Sequence, residues 1–141
     1  MNRTGRSAVA VLTAAGLALG LGACSRAADE AAERVDGALD ETYQVTYEVT
    51  GADIESISYN GGGGDAMDPK LETVEKPTLP WRKTVTLRGI EAPLVMPVAV
   101  RRDGAEAGCR ITYEGKVLEE ASGKGAAATP SCVAVSPVAT E

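Results

Sequence analysis

Short stretches in which apolar and polar residues alternate are the feature that most limits how this chain can fold. Residues 42–51 (TYQVTYEVTG) place two tyrosines and two valines on one face of an extended strand and polar side chains on the other. Residues 81–87 (WRKTVTL) and 108–114 (GCRITYE) have the same period of two. Turn residues separate such stretches about every ten positions. The pattern predicts an all-β protein, a small antiparallel, immunoglobulin-like β-sandwich of about seven strands.

Weaker segments complete the predicted sandwich. Residues 54–59 continue the alternation, and residues 70–76 are a weaker strand. The glycine run at 61–64 indicates a flexible loop at the tip of a hairpin between them. Residues 93–102 (PLVMPVAVRR) are the most apolar stretch after the leader. Because the nitrogen of Pro97 cannot donate to a strand ladder, we expect this strand to lie at an edge or a bulge.

The C-terminal part predicts a hairpin followed by a return strand. Glu114-Gly115 supplies the turn, since glycine accepts the positive φ that tight hairpins need. Residues 117–120 then run back, and residues 131–135 form the last strand. The outer strands of this unit each carry one cysteine, Cys109 and Cys132.

The first 23 residues have the layout of a secretory signal. Two arginines precede an apolar run over residues 8–19, shorter than the roughly 20 apolar residues that cross a bilayer. Residues 21–24 (LGAC) then resemble a bacterial lipobox, in which the thiol of the cysteine receives a diacylglycerol and the preceding peptide is removed. We therefore expect lipidation of Cys24 and stable anchoring on the outer face of the cell membrane. An ordinary signal peptide and an uncleaved signal anchor are the alternatives.

Charge and cysteine content fit an exported protein. Without Arg3 and Arg6, twelve basic residues face twenty acidic ones, a net charge of about −8, which disfavours nucleic acid and anionic headgroups as partners. Once Cys24 is assigned to lipid, Cys109 and Cys132 remain, and an even pair in an exported domain indicates a disulfide. It would close a loop of about 24 residues and contribute roughly 3 kcal/mol. Two free buried thiols are the alternative.

The domain organisation follows from these segments. Residues 1–23 are the predicted signal peptide, and residues 24–41 are the lipidated cysteine with an alanine-rich, charged stalk that we expect to be helical only in part. An amphipathic interaction helix is the alternative for this stalk. The β-sandwich is predicted over residues 42–138, and residues 139–141 form a short tail.

The residues that carry most catalytic chemistry are scarce. The chain has no histidine, which removes Ser-His and Cys-His pairs and histidine metal ligands. Asp65 and Asp68 match no cation loop, and the glycine run lacks the context of a phosphate loop. We therefore predict no enzyme activity, no metal and no cofactor. Trp81, in a chain without phenylalanine, is predicted to anchor the core, with contact to a partner or ligand as the alternative.

Several blocks occur in a set order along the predicted domain. They are YEVTG at 47–51, ISYN at 57–60, LPWRKTV at 79–85, GCRI at 108–111, GKV at 115–117 and Cys132. Over residues 43–135 their order and spacing resemble the mycobacterial membrane protein small (MmpS) family. The resemblance implies an extracytoplasmic β-sandwich with a Cys109–Cys132 disulfide. It also implies an accessory role to a large RND-type (MmpL) transporter that exports siderophores, glycolipids or drugs.

One departure from the family bears on function. Members of the MmpS family hold an uncleaved transmembrane helix, whereas this chain carries the lipobox at residues 21–24. A lipid keeps the domain on the same face of the membrane but removes helix–helix contact with a transporter. The sequence thus favours a non-catalytic, lipid-anchored accessory or adaptor protein. The alternative is a lipoprotein that binds a small or apolar ligand within the sandwich.

Overall fold

The computed structural model describes residues 21–100, 103–125 and 128–140. Helix α1 spans Leu21–Asp40 and is continuous, so the expectation of a stalk that is helical only in part was wrong. The chain divides into two compact units, Met1–Arg34 and Val35–Glu141. Within the described ranges, no helix has both the length and the apolar content that crossing a bilayer requires. Residues 1–20, most of the predicted signal peptide, lie outside the described residues.

The described part of the second unit contains eight strands in two antiparallel sheets, which confirms the predicted all-β sandwich. The first sheet has the order β4-β1-β6-β7 and the second has the order β3-β2-β5-β8. The strands are β1 (Thr42–Ala52), β2 (Ile54–Gly64), β3 (Pro69–Glu75), β4 (Trp81–Arg88), β5 (Leu94–Ala99), β6 (Glu106–Tyr113), β7 (Lys116–Lys124) and β8 (Cys132–Val133). A short 3-10 helix follows at Pro137–Ala139.

The predicted alternation directs one face of each strand into the space between the sheets. In β1, every second residue from Tyr43 to Val49 is buried, and the polar residues between them face outward. Close packing of such side chains supplies most of the stabilising burial in a sandwich. The largest side chains that are less than 2% exposed include Tyr47, Ile57, Leu87, Ile111, Val45, Val49 and Val95.

Strand β2 differs from the prediction in two ways. The pairing with β5 shifts between Ile54 and Ser56, so Ile54 and Ile57 are both buried although simple alternation places them on opposite faces. The glycines at 61–64 are not a loop: β2 continues to Gly64, which pairs with Pro69 in β3. The turn of this hairpin lies instead at residues 65–68. Backbone pairing needs no side chain, so glycine residues can extend a strand that side-chain pattern cannot reveal.

Strand β5 lies at a partly open edge, as Pro97 predicted. Strand β8 pairs with it only at Leu94 and Val95, so the position of Pro97 has a neighbour on the β2 side alone. The β6–β7 hairpin also has the predicted turn, with positive φ at both Glu114 and Gly115.

Candidate functional site

The residues predicted to form sites lie in separate parts of the molecule. Cys24 falls within helix α1, but its side chain lies outside what the structure describes. Cys109 in β6 and Cys132 in β8 form a disulfide with a Cα–Cα distance of 6.0 Å. This distance is within the range of unstrained disulfides. The disulfide therefore connects the two sheets of the sandwich. Lipidation of Cys24 stays a prediction.

Trp81 begins β4 and packs against the edge of the core. Its ring is partly buried and lies 5.2 Å from the ring centroid of Tyr59, tilted by 50°. The hydroxyl of Tyr59 donates to a carboxylate oxygen of Glu72 at 2.5 Å. These contacts join β4 of one sheet to β2 and β3 of the other, which fits the predicted packing role. Contact of Trp81 with a partner or ligand stays a prediction.

The outer face of the first sheet is polar throughout its central rows. Thr46 in β1 lies beside Thr84 and Thr112 of its neighbouring strands, and the hydroxyls of Thr46 and Thr84 lie 2.9 Å apart. One row further along, Glu48 forms ion pairs with both Arg82 and Arg110. Exposed pairs of this kind contribute little stability. They keep this face hydrated, as expected for a solvent-facing sheet.

The outer face of the second sheet is different, because β5 is apolar on both sides. Leu94, Met96 and Val98 alternate with the buried residues of β5 and therefore face outward. Val133 in β8 lies directly beside Leu94, and Val98 and Val133 are 39% and 48% exposed. Ser56 and Ser58 of β2 border these residues, so no charge interrupts them. We call this surface the aliphatic stripe (Leu94, Met96, Val98 and Val133).

The turn between β4 and β5 is held by buried polar side chains from three other segments. The hydroxyl of Tyr43 donates to the carbonyl of Glu91, and Ser136 Oγ donates to the carbonyl of Gly89 at 2.6 Å. Asn60 Nδ2 donates to the carbonyl of Ala92 at 3.1 Å. Three backbone carbonyls of this turn, at residues 89, 91 and 92, thus have hydrogen-bond partners elsewhere in the domain.

Glu91 itself is 5% exposed, which is rare for a carboxylate. Its Oε2 accepts the backbone N–H of Arg88 at 2.6 Å. Its Oε1 is buried and, among the described residues, is the one buried side-chain polar atom that has no hydrogen-bond partner. Sequence reasoning missed this residue, since a glutamate beside a turn usually faces solvent.

Burial also affects three of the tyrosines in the domain. Desolvation raises the pKa of Tyr43 and of Tyr47, and the nearby Glu91 carboxylate adds to both increases. Desolvation, followed by the hydrogen bond to Glu72, raises the pKa of Tyr59 to about 12. All three hydroxyls therefore stay protonated and act as hydrogen-bond donors over the physiological range.

The described residues contain no group of three or more acidic or cysteine side chains placed to hold a metal ion. Glu48 and Glu120 form ion pairs on the surface of the first sheet. Among the described residues, the one deeply buried carboxylate is that of Glu91. The described structure has two features that stand out: the aliphatic stripe, which could contact another molecule at the surface, and the buried carboxylate oxygen Oε1 of Glu91, which has no hydrogen-bond partner. The apolar sequence PLVMPVAV at 93–100, with no polar face, is the signal that could have indicated the stripe.

Comparison with known proteins gives the family. The profile described as "Mycobacterium membrane protein" matches residues 7–137, most of the chain, and corresponds to the MmpS-type proteins. A search of curated proteins found no match to this chain. The match includes the alternating strands, both cysteines of the disulfide and the segment that carries Cys24. The chain therefore belongs to the Mycobacterium membrane protein family, of the MmpS type.

Proposed function

We propose that this protein is a non-catalytic accessory subunit of an RND-type (MmpL) transporter, anchored to the outer face of the cell membrane by a lipid on Cys24. Membership of a family of membrane proteins supports a membrane-associated role. The lipobox at residues 21–24 supports the mode of attachment. The observation that carries the proposal is this combination of a family match over 7–137 with a lipobox inside it.

The mode of attachment changes how such a subunit would contact a transporter. A chain held by acyl groups offers no transmembrane helix for helix–helix packing, so the contact must come from its extracytoplasmic domain. The aliphatic stripe is the surface on the described sheets best suited to this contact, because it is uncharged and faces solvent. Interface cores are depleted of charge in the same way.

The alternative, an apolar ligand between the sheets, has less support. The space between the sheets is occupied by side chains such as Tyr47, Ile57 and Leu87, each less than 2% exposed. A close-packed interior has few voids larger than a water molecule. A ligand in this position would have to displace the core.

Co-purification tests the proposed function. We expect the lipidated protein, isolated in mild detergent from cells that produce it at native levels, to retain an RND-type permease through several purification steps. The Cys24→Ala variant, which cannot receive the lipid, should lose most of that permease because the two proteins no longer share a membrane. Repeated recovery of the wild-type protein without any permease would contradict the proposal.

A further inference from the structure

We propose that copies of this protein associate edge to edge, with strand β4 of one copy pairing antiparallel with strand β7 of the next. The first sheet has the order β4-β1-β6-β7, so these strands form its two edges. The outer side of an edge strand presents backbone N–H and C=O groups that another strand can pair with. Each strand is antiparallel to its neighbour, so a second copy in the same orientation brings its β4 antiparallel to β7. This association does not depend on the proposed transport role.

A row of charged residues across the first sheet is the first reason. On the outer face, Glu48 in β1 lies between Arg82 in β4 and Arg110 in β6 and forms ion pairs with both. Arg110 in turn pairs with Glu120 in β7. The charge therefore alternates across all four strands, from a cation at the β4 edge to an anion at the β7 edge. A second copy beside β7 places its own Arg82 next to Glu120 and continues the alternation.

The neighbouring row has the same polarity. Lys83 in β4 and Glu119 in β7 are the two ends of the row that contains the buried Tyr47 and Ile111. Lys83 is exposed and Glu119 is partly buried, and neither has an ion-pair partner among the described residues. Pairing of β4 with β7 brings these two charges together. Opposite charges on directly opposed residues stabilise an antiparallel strand pair.

The same charges select which edges meet. Two β4 edges would bring Arg82 and Lys83 of one copy close to the same cations of another. Two β7 edges would do the same with Glu119 and Glu120, and like charges on opposed residues destabilise a strand pair. Of the pairings between these two edges, β4 with β7 is the one that places cations against anions in both rows. The contact is therefore head-to-tail, so it can extend beyond a dimer.

Carbodiimide cross-linking tests the position of the contact, because the reagent joins a lysine ammonium directly to a touching carboxylate. The lipidated full-length protein, as an equal mixture of nitrogen-14 and nitrogen-15 chains in detergent, is treated and analysed by mass spectrometry. Within one copy, Lys83 and Glu119 lie three strand spacings, or about 14 Å, apart and cannot couple to each other. We expect a Lys83–Glu119 product that joins one light and one heavy peptide. The absence of this product would overturn the proposal.

Charge reversal tests whether these residues hold the copies together. Sedimentation equilibrium in density-matched detergent should show species larger than a dimer as the concentration of wild-type protein rises. Lys83→Glu and Glu119→Lys should each weaken association at least tenfold, and both substitutions in one chain should restore it. Neither residue has an ion pair within one copy, so circular dichroism should find each variant folded. Lys70→Glu, the same change on β3 at the edge of the second sheet, is the matched control and should leave association unchanged.

The outcomes of these experiments separate the proposed contact from other contacts. An assembly that stops at the dimer would indicate a symmetric interface and overturn the proposal. Wild-type association in a folded Lys83→Glu or Glu119→Lys variant would do the same, and either variant serves if the other does not fold. Failure of the combined variant to recover association, or an equal loss with Lys70→Glu, would also overturn it.

Discussion

Cys109 in β6 of the first sheet is bonded to Cys132 in β8 of the second sheet, so the disulfide links the two layers of the sandwich. Strand β8 has only two residues and pairs with β5 at two positions. Few backbone hydrogen bonds therefore hold this segment. The covalent link to β6 is what keeps β8 against the core, and it closes a sequence separation of 23 residues.

Removal of this link should destabilise the domain substantially. We expect the double variant Cys109→Ala/Cys132→Ala to lose about 3 kcal/mol of unfolding free energy, from the loop-closure entropy of the unfolded chain. Urea unfolding measures the loss. Reduction of the wild-type protein should reproduce it, whereas reductant should not affect the double variant. A loss below about 1 kcal/mol would show that strand pairing alone holds β8.

Gly62 should tolerate substitution far less than its neighbour Gly63. Gly62 has φ +87°, and a Cβ there would lie 2.2 Å from the carbonyl oxygen of Thr86, whereas a Cβ at Gly63 meets nothing closer than 3.5 Å. We expect Gly62→Ala to cost more than about 2 kcal/mol, from positive-φ strain and the backbone clash together. Gly63→Ala, the matched control, should change unfolding free energy by less than about 0.5 kcal/mol. Equal effects of the two variants would contradict the close approach of β2 to β4.

This contrast shows where sequence pattern succeeds and where it fails. Strands β1, β4 and β6 could be predicted because buried and exposed side chains alternate along them. The glycine end of β2 could not, since its pairing uses backbone atoms and leaves no side-chain signal. The sheet order could not be predicted either, because it brings together strands that are distant along the chain.

Among the candidate sites, too, those with a local sequence signal could be predicted and those formed by distant contacts could not. The disulfide could be predicted from cysteine count and compartment, and Cys24 from a local motif. The turn that contains the buried Glu91 accepts hydrogen bonds from Tyr43, Asn60 and Ser136, which come from three segments of the chain. No local pattern records such a convergence, because each contact spans more than thirty residues of sequence.

The buried tyrosines predict a loss of stability in alkaline solution. The pKa of Tyr59 is raised from 10.0 to about 12 by burial and by its bond to Glu72, and the pKa values of Tyr43 and Tyr47 are raised as well. The folded chain therefore keeps protons that the unfolded chain loses above pH 10. Unfolding free energy should be insensitive to these groups below about pH 10 and should fall as pH rises toward 12.

Urea unfolding at several alkaline pH values measures this slope, and tyrosinate absorbance follows the titration in the folded state. Tyr59→Phe should reduce the slope between pH 10 and 12, because one of the shifted groups is gone. Ionisation of every tyrosine near pH 10 in the folded protein would contradict the raised pKa values.

Cys24 should be the single site of acylation. We expect metabolic labelling with a fatty acid to mark the wild-type protein and the Cys132→Ala variant but not Cys24→Ala, since only Cys24 follows a lipobox. The unlabelled variant should be released or remain uncleaved. Label on Cys24→Ala would show that the attachment lies elsewhere.

If the protein acts as the proposed accessory subunit, the aliphatic stripe should be needed for its association with an RND-type permease. Val98 is 39% exposed in β5, so Val98→Glu adds a charge to the stripe at little cost in stability. An unpaired charge within an interface core is costly to desolvate, and we expect recovery of the permease to fall at least tenfold.

Thr84→Glu places the same charge on the exposed polar face of the first sheet and should leave recovery unchanged. Both variants should unfold within about 0.5 kcal/mol of wild type. Full recovery with Val98→Glu would exclude the stripe, and a loss with Thr84→Glu alone would move the contact to the first sheet.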